Sequence, residues 1–172
     1  GANAFDVTAF GQTTNYTGVE GIYFDGGDGD DELILTNVDV PVYAFGGAGD
    51  DILRGGSYAD AGTNEGDILY GGLGNDTFYS SLGDDTLYGQ DGDDTYVFTG
   101  TWGDDSVIEA SNDDNDTLDF SGVSSDLTIN PGTSTTDEIS TVTHAGHFVE
   151  AIMGGSGSDQ LFFDTTLSAA VE

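Results

Sequence analysis

The sequence predicts an all-β solenoid, a parallel β-roll or β-helix in which very short strands alternate with glycine–aspartate turns. Three observations carry that prediction. Residues 71–97 read as three consecutive nine-residue units, GGLGNDTFY, SSLGDDTLY and GQDGDDTYV. Each has Gly at the fourth place, Asp at the sixth and a large apolar residue at the eighth. A period of nine is too short for a domain and wrong for a helix, and it reads as one half-turn of a coil. Apolar residues recur at that same period, and no amphipathic helix of convincing length is visible. Finally, the 172 residues carry 33 acidic side chains against a single Arg, a net charge of -32. Such a chain repels itself apart unless something neutralises it. A disordered acidic tail would have the charge without the periodic Phe, Tyr, Leu, Ile and Val, so carboxylates neutralised by bound cations fit better.

The same composition excludes several function classes. Phosphate contacts need Lys and Arg, and Arg54 is alone, so nucleic acid and anionic membrane surfaces are not expected partners. There is no Cys, hence no disulfide, thiolate nucleophile or sulfur metal site. No apolar run approaches the length of a membrane span, so membrane insertion is not expected. The first ten residues, GANAFDVTAF, lack the basic start and apolar core of a secretory signal, which fits an excised piece of something longer.

Taken in order, residues 1–25 form a flanking cap without the unit. FDVTAF and YTGVEGIYF read as strands, with GQTTN the turn between them. The roll is expected over residues 26–119. GGDGDDELI (26–34) is complete, LTNVDVPVYAF (35–45) is an apolar half-turn without a Gly–Asp loop, and GGAGDDILR (46–54) is complete. A unit interrupted after Ser57 recovers at Asp67-Ile68-Leu69-Tyr70. The three units of 71–97 follow, then the weaker GTWGDDSVI (100–108) and SNDDNDTLD (111–119). Residues 120–172 are expected as wider irregular coils, matching those at the first flank. They contain strand-like SGVSSDLTIN, EISTVTH and HFVEAIM, and one further unit, GGSGSDQLF (154–162).

Each unit divides into a six-residue turn and a three-residue strand. Gly tolerates positive φ and lets backbone approach a ligand closely. Stacked turns place loop over loop, so two Asp carboxylates and several main-chain carbonyls share one space. Hard oxygen donors in a flexible cage are what Ca²⁺ takes. Alternate units share an edge, which separates the candidate ligands into two unequal ladders. The stronger edge has Gly27, Gly29 and Asp31; Gly47, Gly49 and Asp51; Gly72, Gly74 and Asp76; Gly92 and Asp94; and Asp116. The weaker has Asp67, Gly83 with Asp85, and Gly103 with Asp105, while Gly155, Gly157 and Asp159 belong to the isolated unit. The first acid of each doubled pair points to solvent or helps attract the cation. Leu33, Leu53, Leu69, Phe78, Leu87, Tyr96, Val107 and Leu118 should point inward as a narrow core rather than a cofactor box. Tyr70 and Tyr88 should stack on one outer face with Tyr79 on the other, stabilising neighbouring strands, with a carbohydrate or partner surface as the alternative.

No catalytic constellation emerges. Paired carboxylates occur everywhere and identify no glycosidase pair, and neither GxSxG nor a zincin helix motif occurs, so no enzyme is expected. His144 and His147 offer at most two Zn²⁺ ligands, without a third close by.

The units GGDGDDELI, GGAGDDILR, GGLGNDTFY and GGSGSDQLF resemble the glycine-rich nonapeptide of RTX, or hemolysin-type calcium-binding repeat, proteins. That resemblance implies a right-handed β-roll holding several Ca²⁺ ions, calcium-dependent folding, an extracellular or cell-surface location and type I secretion. Two roles are compatible with it. One is a structural module of a bacterial surface or matrix protein, which binds other copies of itself or other surface proteins and assembles end to end. The other is the secretion and folding module of a toxin or secreted hydrolase.

Overall fold

The computed structural model describes residues 4–9, 12–36, 38–56, 66–110, 114–130, 134–136, 141–144 and 151–161. All regular structure among them is strand. β1 (Ala4–Ala9) and β2 (Gln12–Thr17) pair antiparallel as a separate two-stranded sheet. The coil then begins. Its strands are β3 (Ile22–Asp28), β4 (Glu32–Ile34), β5 (Val42–Ala48), β6 (Ile52–Arg54), β7 (Ile68–Leu73), β8 (Thr77–Tyr79), β9 (Thr86–Asp91), β10 (Thr95–Val97), β11 (Asp104–Ile108) and β12 (Thr117–Asp119). They alternate between two sheets, odd strands in one and even strands in the other, and every neighbour pair among them is parallel. This is a parallel β-roll: one turn of chain lays one strand in each sheet. Only three residues separate many turns, so the even strands are short and each buries just its middle side chain, as in β6, β8, β10 and β12.

Those middle side chains form the core. Leu33, Leu53, Phe78, Tyr96 and Leu118 are in register through the even sheet. Ala44, Leu69, Leu87 and Val107 are in register through the odd sheet and join the same apolar cluster. All of the expected inward residues are buried except Leu33, in the first turn, which is half-buried. Phe78 stacks on Tyr96 at 4.9 Å. Outside the odd sheet, Phe45, Tyr70 and Tyr88 stack in turn at 4.7 and 4.5 Å, and Tyr79 lies on the even sheet, as the spacing predicts. The apolar half-turn 35–41 fills its edge with buried Val38 and Val40.

Both flanks depart from the expected wider coils. Before the roll stands the β1–β2 hairpin, and β2 already begins at Gln12, so much of the GQTTN turn is strand. After β12, the chain makes an antiparallel meander of β13 (Thr128–Asn130), β14 (Ser134–Thr136) and β15 (Thr141–His144), inserted in the odd sheet with β15 parallel to β11. β16 (Ala151–Met153) then extends the even sheet beside β12, and β17 (Gln160–Leu161) pairs with β13. Two-residue periodicity marks a strand but not its direction, which is why β13, β15 and β16 were legible and the reversal was not; β14 lies between the stretches read as strands. Residues 57–65, holding most of the interruption, and His147 lie outside the described residues, whereas His144 ends β15. Among the described residues no helix is long and apolar enough to cross a membrane.

Candidate metal centre

The loops from odd to even strands stack along one edge of the roll, and those from even to odd strands along the other. On the first edge, the second and fourth glycines adopt positive φ: 96° and 111° at Gly27 and Gly29, 122° and 135° at Gly47 and Gly49, and 125° and 116° at Gly72 and Gly74. Two causes require glycine there. The left-handed backbone disfavours a side chain, and a Cβ on Gly49 or Gly74 would strike the carbonyl oxygen of the fourth glycine one turn back. Main-chain oxygens are thereby stacked along the edge. Gly92 repeats this at φ 127°, while the second place of its loop is Gln90, the one non-glycine at positive φ among the described residues.

The sixth-place Asp of each loop turns inward. Asp31 N–H donates to Asp51 Oδ1 at 2.7 Å, Asp51 to Asp76 at 2.8 Å, Asp76 to Asp94 at 2.7 Å and Asp94 to Asp116 at 2.9 Å. The separations of 20, 25, 18 and 22 residues show that insertions between turns leave the ladder intact. Asp51, Asp76, Asp94 and Asp116 are buried. The Oδ2 atoms of Asp31, Asp51, Asp76 and Asp94 are buried with no hydrogen-bond partner.

A second, shorter ladder occupies the other edge. Val42 N–H donates to Asp67 Oδ1, Asp67 N–H to Asp85 Oδ1, and Asp85 N–H to Asp105 Oδ1, at 2.8–2.9 Å. Here protein donors satisfy more oxygens: Gly56 N–H reaches Asp67 Oδ2 and the Ser81 hydroxyl reaches Asp85 Oδ2. Asp105 Oδ2 has no partner. The ladder stops there, because buried Val142 is the residue in register with Asp105 on the next strand. Gly83 and Gly103 have the positive φ of the repeat turn, at 116° and 130°. Gly155 and Gly157 do not, and Asp159, whose Oδ1 accepts from Leu127 N–H at 3.0 Å, is exposed. That isolated unit stands apart from both ladders.

Fifth-place residues form another ladder, on the outside. Asp50 N–H donates to Asp30 Oδ1, Asn75 N–H to Asp50, Asp93 N–H to Asn75 and Asn115 N–H to Asp93. The first acid of each pair on this edge, Asp30, Asp50 and Asp93, is exposed, as expected, yet it also clamps adjacent turns, whereas Asp84 on the other edge is half-buried.

The inner carboxyls are electrostatically unsatisfied. Burial, opposed by the Asp51 N–H and reinforced by Asp51's charge, pushes Asp76 up to about 6. Burial first, then the charge of Asp85, lifts Asp67 to about 7 and Asp105 to about 8. Asp94 rises to about 7 through burial and then the charges of Asp76 and Asp116. Asp51 and Asp85 are raised as well, chiefly by burial. Buried ionised carboxylates need a compensating charge, and Arg54, on β6, is the only basic Lys or Arg in the chain. The orphaned Oδ2 atoms, the stacked carbonyls and the purely oxygen donor set fit a hard divalent cation.

One ligand-type residue escaped the sequence reading. Glu109, at the start of the loop from β11 to β12, is buried and accepts the Tyr96 hydroxyl, and it lies with Asp94 and Asp116 in a cluster whose carboxylate oxygens fall within 4.8 Å of one another. Burial raises it to about 8. The sequence also gave no sign of the aromatic plug on the second edge, where Phe98 stacks on Phe120 at 4.7 Å with Trp102 edge-on at 5.7 Å.

A β-roll with stacked Gly–Asp turns and inward carboxylate ladders defines a class of cation-binding solenoid. Residues 43–60 and 61–96 match the RTX calcium-binding nonapeptide repeat, in four copies. These residues carry RTX-type nonapeptide repeats, and calcium is the cation that such repeats bind. No curated protein and no solved structure matches the chain significantly.

Proposed function

We propose that this chain is a calcium-dependent folding module of a secreted or cell-surface bacterial RTX protein, structural rather than catalytic. The observation that carries the reading is the row of buried, unpartnered Oδ2 atoms at Asp31, Asp51, Asp76 and Asp94, in a chain with a single Arg and no Lys. When bound, calcium supplies that positive charge between successive turns at several sites. The chain's own part is to aim carboxylates and carbonyls into each edge through glycine turns, and to bring those turns together only in the folded roll. Binding energy is then folding energy. Calcium is scarce inside cells and abundant outside, so the chain stays unfolded and exportable before secretion and folds after it. Strands β3 and β4 end their sheets among the described residues. Such open edges invite strand pairing, which supports end-to-end assembly with further copies or with other surface proteins. Far-UV circular dichroism in EDTA and with added calcium tests the reading. A β spectrum that appears only with calcium supports it, and a native spectrum indifferent to chelation overturns it.

A further inference from the structure

The loop joining β11 to β12 breaks the pattern of the four first-edge loops stacked before it. Their first places are Gly26, Gly46, Gly71 and Gly89, and at each a Cβ would run into Oδ2 of the same loop's Asp. Glycine there leaves the inward carboxylate its room. Ile108 pairs with Tyr88, which sets Glu109 beside Gly89, at the first place of its own loop. A residue with a long acidic side chain thus stands where the others have none, and that side chain is buried rather than turned to solvent.

Three buried carboxylates, Asp94, Glu109 and Asp116, share one stretch of the ladder. The Tyr96 hydroxyl donates to Glu109 Oε1. A Cβ on Gly89 would strike Asp94 Oδ2, the Tyr96 hydroxyl and Glu109 Oε1 together, so the three groups converge on one space. Independently, Asp94 is fully buried and its Oδ2, aimed into that space, has no hydrogen-bond partner. The Tyr96 hydroxyl and the backbone N–H groups of Asp76, Gln90 and Asp94 are neutral donors, and they do not balance three acids in so confined a volume.

We infer that the Glu109 side chain is a metal ligand, making this part of the first edge a three-carboxylate site for a hard divalent cation, calcium above all. The inference rests on the calcium-binding reading of the roll. The interior repeat loops contribute one inward carboxylate each; this pair of loops contributes a third. All donors are oxygen, which suits calcium over the softer transition metals. More carboxylates raise affinity, so this site fills first and anchors the ladder.

The test is isothermal titration of the full chain with CaCl₂, beside circular dichroism and terbium luminescence excited through tyrosine, with Glu109→Gly and Glu109→Gln. The glycine variant restores the residue of the other four loops, and the glutamine variant keeps the shape and the acceptor for Tyr96. Wild type should show a tightest phase that both variants weaken by about tenfold or more, with calcium-induced folding retained and early terbium emission lost. Unchanged or tighter binding in both variants would mean that Glu109 only fills space, and the inference falls. If wild type binds no calcium at all, the reading of the whole roll falls with it.

Discussion

Without calcium, the roll should be most stable in acid and should lose stability as the pH rises through about 6 to 8. The groups responsible are Asp76, raised to about 6, Asp67 and Asp94, to about 7, and Asp105 and Glu109, to about 8, with burial the first cause in each. In the unfolded chain these carboxyls ionise near their ordinary values, 3.8 for Asp and 4.5 for Glu. Folding therefore takes up protons between those values and the raised ones. The contribution is fully present below the unfolded pKa and is lost as the pH climbs through the folded pKa. Asp105, moved from 3.8 to about 8, costs the calcium-free fold at most ~4 kcal/mol at pH 7, at about 1.4 kcal/mol per pH unit. A whole domain is stable by only about 5–15 kcal/mol, so two or three such groups are enough to unfold it at neutral pH. Urea unfolding followed by circular dichroism in EDTA, from about pH 5 to 8.5, reads this directly. Calcium should abolish the loss, because its ligands must be deprotonated, and its apparent affinity should rise with pH. Calcium-free protein as stable at pH 8 as at pH 5, or more so, would refute the reasoning.

The two edges should differ in calcium demand. Asp76→Ala removes an unpartnered Oδ2 from the middle of the first ladder, whereas Asp85 already holds the Ser81 hydroxyl. Asp76→Ala should therefore raise the calcium midpoint of folding, measured by circular dichroism titration, more than Asp85→Ala. Glycine substitutions should separate strain from collision. Gly27→Ala meets open space and costs about 1–2 kcal/mol of backbone strain. Gly49→Ala at φ 135° also strikes the Gly29 carbonyl, so its melting temperature in calcium should fall well below that of Gly27→Ala. Phe78→Ala, fully buried against Tyr96, should cost about 3–5 kcal/mol in calcium-saturated urea unfolding.

The division of the aspartates between two edges was legible because a coil of two nine-residue units leaves no other arrangement for residues 71–97. It survived insertions elsewhere because loop residues added between turns do not disturb the rungs, as the 25-residue step from Asp51 to Asp76 shows. Glu109 was hidden for the same reason. Its loop runs from 109 to 116, longer than the repeat's six-residue turn, and it has no glycine to mark its first place. Counting one residue on from Ile108, opposite Tyr88, would have found it. Trp102 and Phe98 lay in what reads as an eroded turn, yet an edge without a carboxylate partner can be filled by aromatic packing. The meander over β13 to β15 was illegible because strand direction depends on partners distant in sequence, not on local alternation.

The two hydrogen-bond ladders of the first edge run in opposite directions, and this explains how one loop can be well specified and poorly stable. Sixth-place N–H groups donate forward, from Asp51 to Asp76, while fifth-place groups donate backward, from Asn75 to Asp50. Each loop is thus clamped to both neighbours, and register is fixed by geometry before any ion is considered. The forward ladder achieves this by lining up buried carboxylates, so the contacts that define the roll also concentrate the charge that opposes it. In a solenoid each turn answers only to adjacent turns, and the repulsion accumulates along the stack with nothing in the core to offset it. The inner layer, one side chain per short strand, is too narrow to do so alone. On the proposed reading, a protein built this way holds its fold in its sequence and leaves the decision to adopt it to the cation available.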